Sequence, residues 1–311
     1  MSKYKLSLFF VLFFTAVFFS ENIGKLTGLG KQELPDKTLS DGSPSVIAGT
    51  MSIAEILSDL GYKNVIGVPT SRHSLPKLYE KCTKIGNPMK PDIETVKMLN
   101  ADLYLASLGS KPTLDKIFIN QNIKHEYFDL DSYSECLNSI RKIGTITLKQ
   151  KEAERVIQTI EAKTLEIKRA INGKKSPKVL MILGSPKKLM MGTKNCYTGS
   201  LMEILKIHNI ANDIGNFDKA YVPINIEEIV KHQPDIIIRL THTKPEDSAN
   251  SLRKEFSNSG IWSKVKAVRE NKIYDLDSNL YTASRNLKIM NAVENLKELI
   301  YDNSENNGAA E

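Results

Sequence analysis

Two short stretches of this chain carry side chains suited to holding a metal-centred ligand. In KIGNPMKPDIETV, Lys84 to Val96, Met89 stands in a polar loop bracketed by Pro88 and Pro91. Each proline crowds the residue before it and disfavours helix there, which stiffens the loop. Asp92 is placed to cap a following helix, with Glu94 in its first turn. Met89 therefore falls outside any regular apolar stripe. Taken alone, it reads as a methionine folded back into a packing gap, and a thioether offered to a ligand is the other reading. In DIIIRLTHTKPED, Asp235 to Asp247, three isoleucines read as a buried strand, and His242 follows where that strand should emerge. Ligands of open α/β sheets bind beyond the carboxyl ends of the strands. A solvent-facing loop histidine is the plainer alternative. Brought together across a cleft, a thioether and an imidazole would make a pair of axial ligands for haem iron.

Such a meeting needs two lobes. Apolar, β-rich runs alternate with helical patterns through both halves of the chain, which predicts an α/β fold with largely parallel sheets. The strand candidates are SVIAG, NVIGV, LYLAS and HEYFDL in the first half, then KVLMIL, DIIIRL and KIYDL in the second. Between the halves runs TLKQKEAERVIQTIEAKTLEIKRAING. Its apolar positions Ala153, Val156, Ile157, Ile160, Thr164, Ile167 and Ile171 keep helical spacing, and Gly173 marks a stop. About 25 residues at 1.5 Å each predict a spine helix of roughly 38 Å. An internal repeat supports the two lobes. Ile93-Glu94-Thr95-Val96 precedes Ala101-Asp102-Leu103-Tyr104-Leu105, and Ile226-Glu227-Glu228-Ile229 precedes Pro234-Asp235-Ile236-Ile237-Ile238 at the same offset. Two similar lobes facing one another leave a cleft, the usual place for a ligand.

The ends and the composition bound the rest. Lys3 and Lys5 precede a run from Leu6 to Phe19 that is apolar apart from Ser7 and Thr15. This reads as an export signal, shorter than the roughly 20 residues of a spanning helix. Residues 1–20 are thus expected to be a signal peptide or N-terminal anchor and 21–43 a linker. A first lobe is expected over 44–146, the spine over 147–173, a second lobe over 174–302 and a disordered tail over 303–311. No cysteine precedes Cys82, so attachment by a lipid is not expected. Cys82, Cys136 and Cys196 are too widely spaced for a disulfide framework or a zinc site. The net charge of +7 is spread among interleaved lysines and glutamates, which argues against nucleic acid as a partner.

With these residues in view, the chain resembles the class III substrate-binding proteins of bacterial iron-complex ABC importers. Within them it is most similar to the haem receptors of the iron-regulated surface determinant type. The resemblance runs from Ser45 to Leu299 and rests on IGNPMKPDIETVKML, KSPKVLMILGSPKKLMMGT, PDIIIRLTHTKPED and the KEFSNSGIW run. It implies two Rossmann-like lobes joined by one long α-helix, with the ligand cleft between them. It also implies axial ligation of haem (iron protoporphyrin IX) by Met89 and His242. Arg72 and His73, in PTSRHSLP, stand where that branch carries tyrosine and lysine near the haem edge. Arg72 suits a bidentate grip on a propionate, and His73 either assists it or competes for the iron. Gly49, Thr50 and Met51 begin a helix whose first N–H groups suit a carboxylate. Tyr281 and Arg285 are expected at the cleft rim. Glu94 and Glu227 are expected to dock onto a dimeric ABC permease served by its ATPase, with surface haem-binding proteins as upstream donors.

The expected role is therefore an extracytoplasmic, membrane-associated haem receptor for iron acquisition. The alternatives are a ferric-siderophore or corrinoid receptor of the same fold, and a haem or metal-cluster enzyme. No phosphate-binding glycine loop, nucleophile motif or catalytic carboxylate pair is present, so no reaction is expected. His125, His208 (in a helical pattern) and His232 are expected to be structural or exposed. Met181, Met190 and Met191 are open to core packing or to lining an apolar face.

Overall fold

In a computed structural model of the chain, the described residues are 42–71, 74–185, 188–240, 256, 260–283 and 286–302. They lie in a unit spanning Lys37–Glu311. The proposed signal, most of the linker and the proposed tail fall outside them, as do Arg72, His73, His242 and Arg285. Among the described residues, no helix is long and apolar enough to cross a membrane.

The first lobe runs through β1 (Val46–Ala48), α1 (Met51–Asp59), β2 (Val65–Val68), β3 (Thr83–Lys84), β4 (Gly86–Asn87) and β5 (Lys90–Pro91). It continues with α2 (Ile93–Leu99), β6 (Leu103–Ser107), α3 (Lys111–Asn120), β7 (His125–Phe128) and α4 (Tyr133–Ile146). Its sheet has the order β3-β2-β1-β6-β7, parallel throughout. Val46, Ala48, Leu103 and Leu105 are buried on one face, Ile47 and Tyr104 on the other. This two-sided burial is why these strands read as continuous apolar runs.

The spine is α5, Gln150–Ala170, 21 residues and therefore about 32 Å long. It is shorter than the expected 147–173. Leu148 takes a left-handed backbone (φ +58°), and the Lys149 N–H turns back to Gly144 O at 2.6 Å. That break lets α4 fold against α5, and a Cβ on Gly144 would stand 2.5 Å from that of Ala153. The buried side of α5 carries Ala153, Val156, Ile157, Ile160, Thr164 and Ile167, six of the seven positions that the spacing marks; Ile171, the seventh, is buried just past the helix end. The apolar side chains among these join a cluster that contains residues of both sheets.

The second lobe runs through β8 (Lys178–Ser185), β9 (Lys188–Gly192), α6 (Tyr197–Ile204), β10 (His208–Asn209), α7 (Ala211–Ile214), β11 (Tyr221–Pro223) and α8 (Ile226–His232). It then continues with β12 (Ile236–Leu240), α9 (Lys266–Arg269), β13 (Ile273–Asp275) and α10 (Ile289–Lys297). Strands β8, β12 and β13 are parallel, as expected, but β9 and β11 add an antiparallel edge. Two pairings depart from the sequence reading. Strand β8 is long enough for its second half to pair with β9. His208 lies in β10 rather than in a helix, its N–H donating to Ser176 Oγ at 2.9 Å.

The repeat is visible in three dimensions, at one offset of 133 residues. It takes Asp92 to Asn225, the caps of α2 and α8, and Asn100 to Gln233, their left-handed C-caps. It also takes Asp102, which accepts from Ser45 N, to Asp235, which accepts from Lys178 N, each at 2.8 Å. In both lobes this aspartate ties the entry of the central strand to the start of its parallel neighbour.

Candidate functional site

Parallel order puts the ends of β1, β2 and β3 along one edge of the first sheet, where their loops gather. Strand β1 leads to Gly49, Thr50 and Met51, and β2 leads through Thr70 and Ser71 toward the segment holding Arg72 and His73. Strand β3 leads into the β4–β5 hairpin with Met89 at its tip. The chain turns left from β1 to β2 and right from β1 to β6, so the switch in strand order lies at Gly49. Crevices form at such points because neighbouring loops leave in opposite directions.

Met89 is 47 % exposed. It fills no gap, which excludes the plainer of its two readings. Its N–H donates to Asn87 Oδ1 at 2.8 Å, closing the turn over Pro88. The hairpin is fixed to the sheet by Thr70 N–H to Gly86 O at 2.8 Å and Asp92 N–H to Ile85 O at 2.8 Å. A flexible thioether is thus held out from a rigid support.

Gly49 has no room for a side chain. A Cβ there would stand 2.4 Å from Tyr104 Cε1 and 2.7 Å from Leu105 O, while the Gly49 N–H donates to that same carbonyl at 2.8 Å. Thr50 caps α1, its Oγ1 accepting from Ile53 N at 3.3 Å, and Met51 is buried. We expect Gly49→Ala to cost about 1–3 kcal/mol, because the obstructing atoms include backbone that cannot rotate away. A lowered urea midpoint with an unchanged slope would record it.

Glu94 and Glu227 both stand exposed in the first turns of α2 and α8. The caps beneath them are well made. Asp92 accepts from Thr95 Oγ1 (2.7 Å), Glu94 N (3.2 Å) and Thr95 N (3.3 Å), and the Thr95 hydroxyl foremost holds its carboxyl below the usual carboxylate range. Asn225 accepts from Glu227 N at 3.0 Å and Glu228 N at 3.3 Å.

In the second lobe, β12 ends at Leu240, and His242 lies just beyond the described residues. The strand's end is anchored by an interaction that periodicity does not forecast. Arg239 is 0 % exposed, pairs with Asp275 Oδ2 at 2.7 Å, and has its guanidinium 5.8 Å from the centre of the Phe256 ring. A charge inside a run of isoleucines was the available signal. Asp275 is itself partly exposed, so solvent screens the pair, and what the contact does is tie the end of β12 to its parallel neighbour β13.

The remaining candidates resolve as structure. Tyr281 is 1 % exposed, its hydroxyl donating to Ala292 O and reaching Asn295 Oδ1, each at 3.0 Å. Burial drives its pKa well up. It belongs to the core against α10 rather than to a cleft rim. Met181 and Met191 are buried in the sheet and Met190 is half-buried. His125 packs against Phe118 and Tyr127, His208 bonds Asp213 at 2.7 Å, and His232 lies between Asp213 and Glu228. Cys82, Cys136 and Cys196 form no disulfide.

Comparison with known proteins places this arrangement. The profile of the periplasmic binding protein family matches residues 46–280. A curated relative from Staphylococcus aureus, the high-affinity heme uptake system protein IsdE, is 31% identical over 259 residues, which is 83% of this chain and 86% of the relative. The crystal structure of S. aureus IsdE complexed with heme superposes with a TM-score of 0.76 at 30% identity, covering 84% of this chain and 100% of that one. That of an ABC transporter substrate-binding protein from Listeria monocytogenes EGD-e gives 0.79 at 28% identity, covering 84% and 99%.

Proposed function

The chain belongs to the periplasmic binding protein family, whose members bind a substrate for transport and catalyse no reaction, and from this premise we propose that its substrate is haem. The protein would work outside the cytoplasm, at the membrane, and deliver haem to an ABC importer for iron acquisition. The observation that carries the reading is Met89, an apolar sulfur side chain held out from a rigid hairpin at the edge where the loops of β1, β2 and β3 gather. Its proposed counterpart is His242, beyond the end of β12. Iron would be six-coordinate, a thioether on one face and an imidazole on the other.

The porphyrin faces would supply most of the affinity. Burial of ~400 Å² of apolar ligand surface contributes on the order of 10 kcal/mol gross, before association costs are deducted. Arg72, His73 and the start of α1 at Gly49, Thr50 and Met51 would meet the propionates, and Arg285 would lie at the rim. Glu94 and Glu227, one per lobe at matched positions, would dock on the two permease subunits.

Titration of the purified protein with haemin tests the substrate. The expected result is a 1:1 complex with a low-spin spectrum in its reduced form. Failure to bind haemin, with saturable binding of a ferric siderophore or a corrinoid, would reassign the substrate within the same fold.

A further inference from the structure

Beside the spine, the two lobes are also joined through α10, in a way that nothing in the sequence announces. Helix α10 packs along the spine α5, where Glu294 meets Lys163 at 3.3 Å. Just beyond its far end, the Tyr301 hydroxyl donates to Leu205 O in the second lobe at 2.8 Å. Its near end reaches into the first lobe instead. Lys288 Nζ bonds Glu55 Oε1 on α1 at 2.5 Å, and the Leu287 N–H donates to Asp59 Oδ2, one turn further along α1, at 3.1 Å. These contacts close over 228 and 233 residues of sequence.

The chemistry at the near end is that of a paired charge. The Glu55 side chain is only 8 % exposed, whereas Lys288 is half-exposed. Among the described residues, Glu55 Oε2 is buried without a hydrogen-bond partner and Lys288 is the cation paired with that carboxylate. Parting the two would leave a buried charge alone, which costs more than the pair itself contributes. Burial raises the Asp59 pKa, with Glu55 adding to the rise against the Leu287 N–H, Asn286 and Lys288. Helix α1, which carries both acids, begins at Thr50 and Met51, on the edge where the loops of the candidate site gather.

We propose that Glu55, Asp59 and the Asn286–Lys288 turn form an inter-lobe latch, making α10 a strut beside α5 that sets how far the cleft opens. Glu55 and Lys288 act as positioning residues through α1. That the latch governs release of haem rests on the function proposed above; its action on the lobes does not.

The test reads both. Spin labels at Met98→Cys and Lys231→Cys report the separation of the lobes, in a Cys82→Ser background because Cys136 and Cys196 are buried. Both positions are well exposed and related by the repeat. Measured without ligand, Lys288→Met and Glu55→Gln should each lengthen or broaden the distance distribution by about 2 Å. Combining them should add little further, because either change alone breaks the same pair. Glu55→Gln keeps the side-chain shape, so its melting curve shows whether the variants are folded. For protein loaded with haemin, transfer to an excess of a haem scavenger should accelerate about tenfold, with the absorption spectrum unchanged. An unaltered distance distribution in either folded single variant would overturn the latch, as would fully additive effects in the double variant. Failure of the parent to bind haemin would overturn the substrate and leave the distance result standing.

Discussion

His242→Ala should abolish the low-spin spectrum of the haemin complex and weaken binding by about a hundredfold or more. Even contacts to the partners of a metal ligand are worth 10–100-fold, and tenfold is 1.4 kcal/mol. Loss of the imidazole bond itself should exceed that range. Met89→Ala should change the spectrum as clearly but cost about tenfold or less, because thioether is the weaker ligand and porphyrin burial persists. The exposure of Met89 sharpens this expectation. A side chain 47 % exposed leaves little cavity when truncated, so the variant should keep its unfolding midpoint, and any loss of affinity belongs to the ligand bond. Parental spectra in both single variants would remove the proposed axial pair. A spectrum altered by His73→Ala instead would move the bond to the loop after β2.

The second large effect concerns transport rather than binding. The double variant Glu94→Ala, Glu227→Ala should bind haemin within about twofold of the parent and yet support less haem uptake than either single variant, down to about a thirtieth of the parent's. One exposed ion pair is worth about 0.2–1 kcal/mol, so each single variant should lose less than about fivefold. Two pairs lost from one docking event multiply. Because both acids are exposed, added salt should weaken docking of the parent and narrow its difference from the double variant. Helix stability alone would not require both acids, since Asp92 and Asn225 already satisfy the first N–H groups of α2 and α8. Normal uptake by the double variant, at parental expression, would leave Glu94 and Glu227 as helix-end charges.

Periodicity located most of the frame. The buried face of α5 coincides with the spacing of Ala153, Val156, Ile157, Ile160, Thr164 and Ile167. The principal parallel strands form where β-rich apolar runs occur. The repeat, visible as two glutamates and two aspartates at a fixed offset, became two sheets with matching caps and matching aspartate ties. These features are local, or repeat a local pattern, so short windows of residue types suffice to specify them. The type of Met89 and its proline-bracketed loop were equally legible, because proline acts on its immediate neighbour.

Features that depend on distant partners were not. Nothing near Tyr281 states that its hydroxyl will meet Ala292 and Asn295, so a residue expected at the rim belongs to the core. The antiparallel edge of β9 and β11 follows from pairing along the second half of β8, and β10 from pairing at its start, where a helical pattern around His208 suggested otherwise. Arg239 could be seen as a charge among isoleucines, but its partners, Asp275 and Phe256, come from elsewhere in the chain. Glu55 and Lys288 are ordinary surface residues by their neighbours in sequence. Only the tertiary contact between α1 and the turn before α10 brings them together over 233 residues and gives a largely buried helix-face glutamate a lysine partner. Side-chain type and short-range spacing determined which groups were available, while burial and long-range pairing decided which of them stand free for a ligand and which hold the lobes in place.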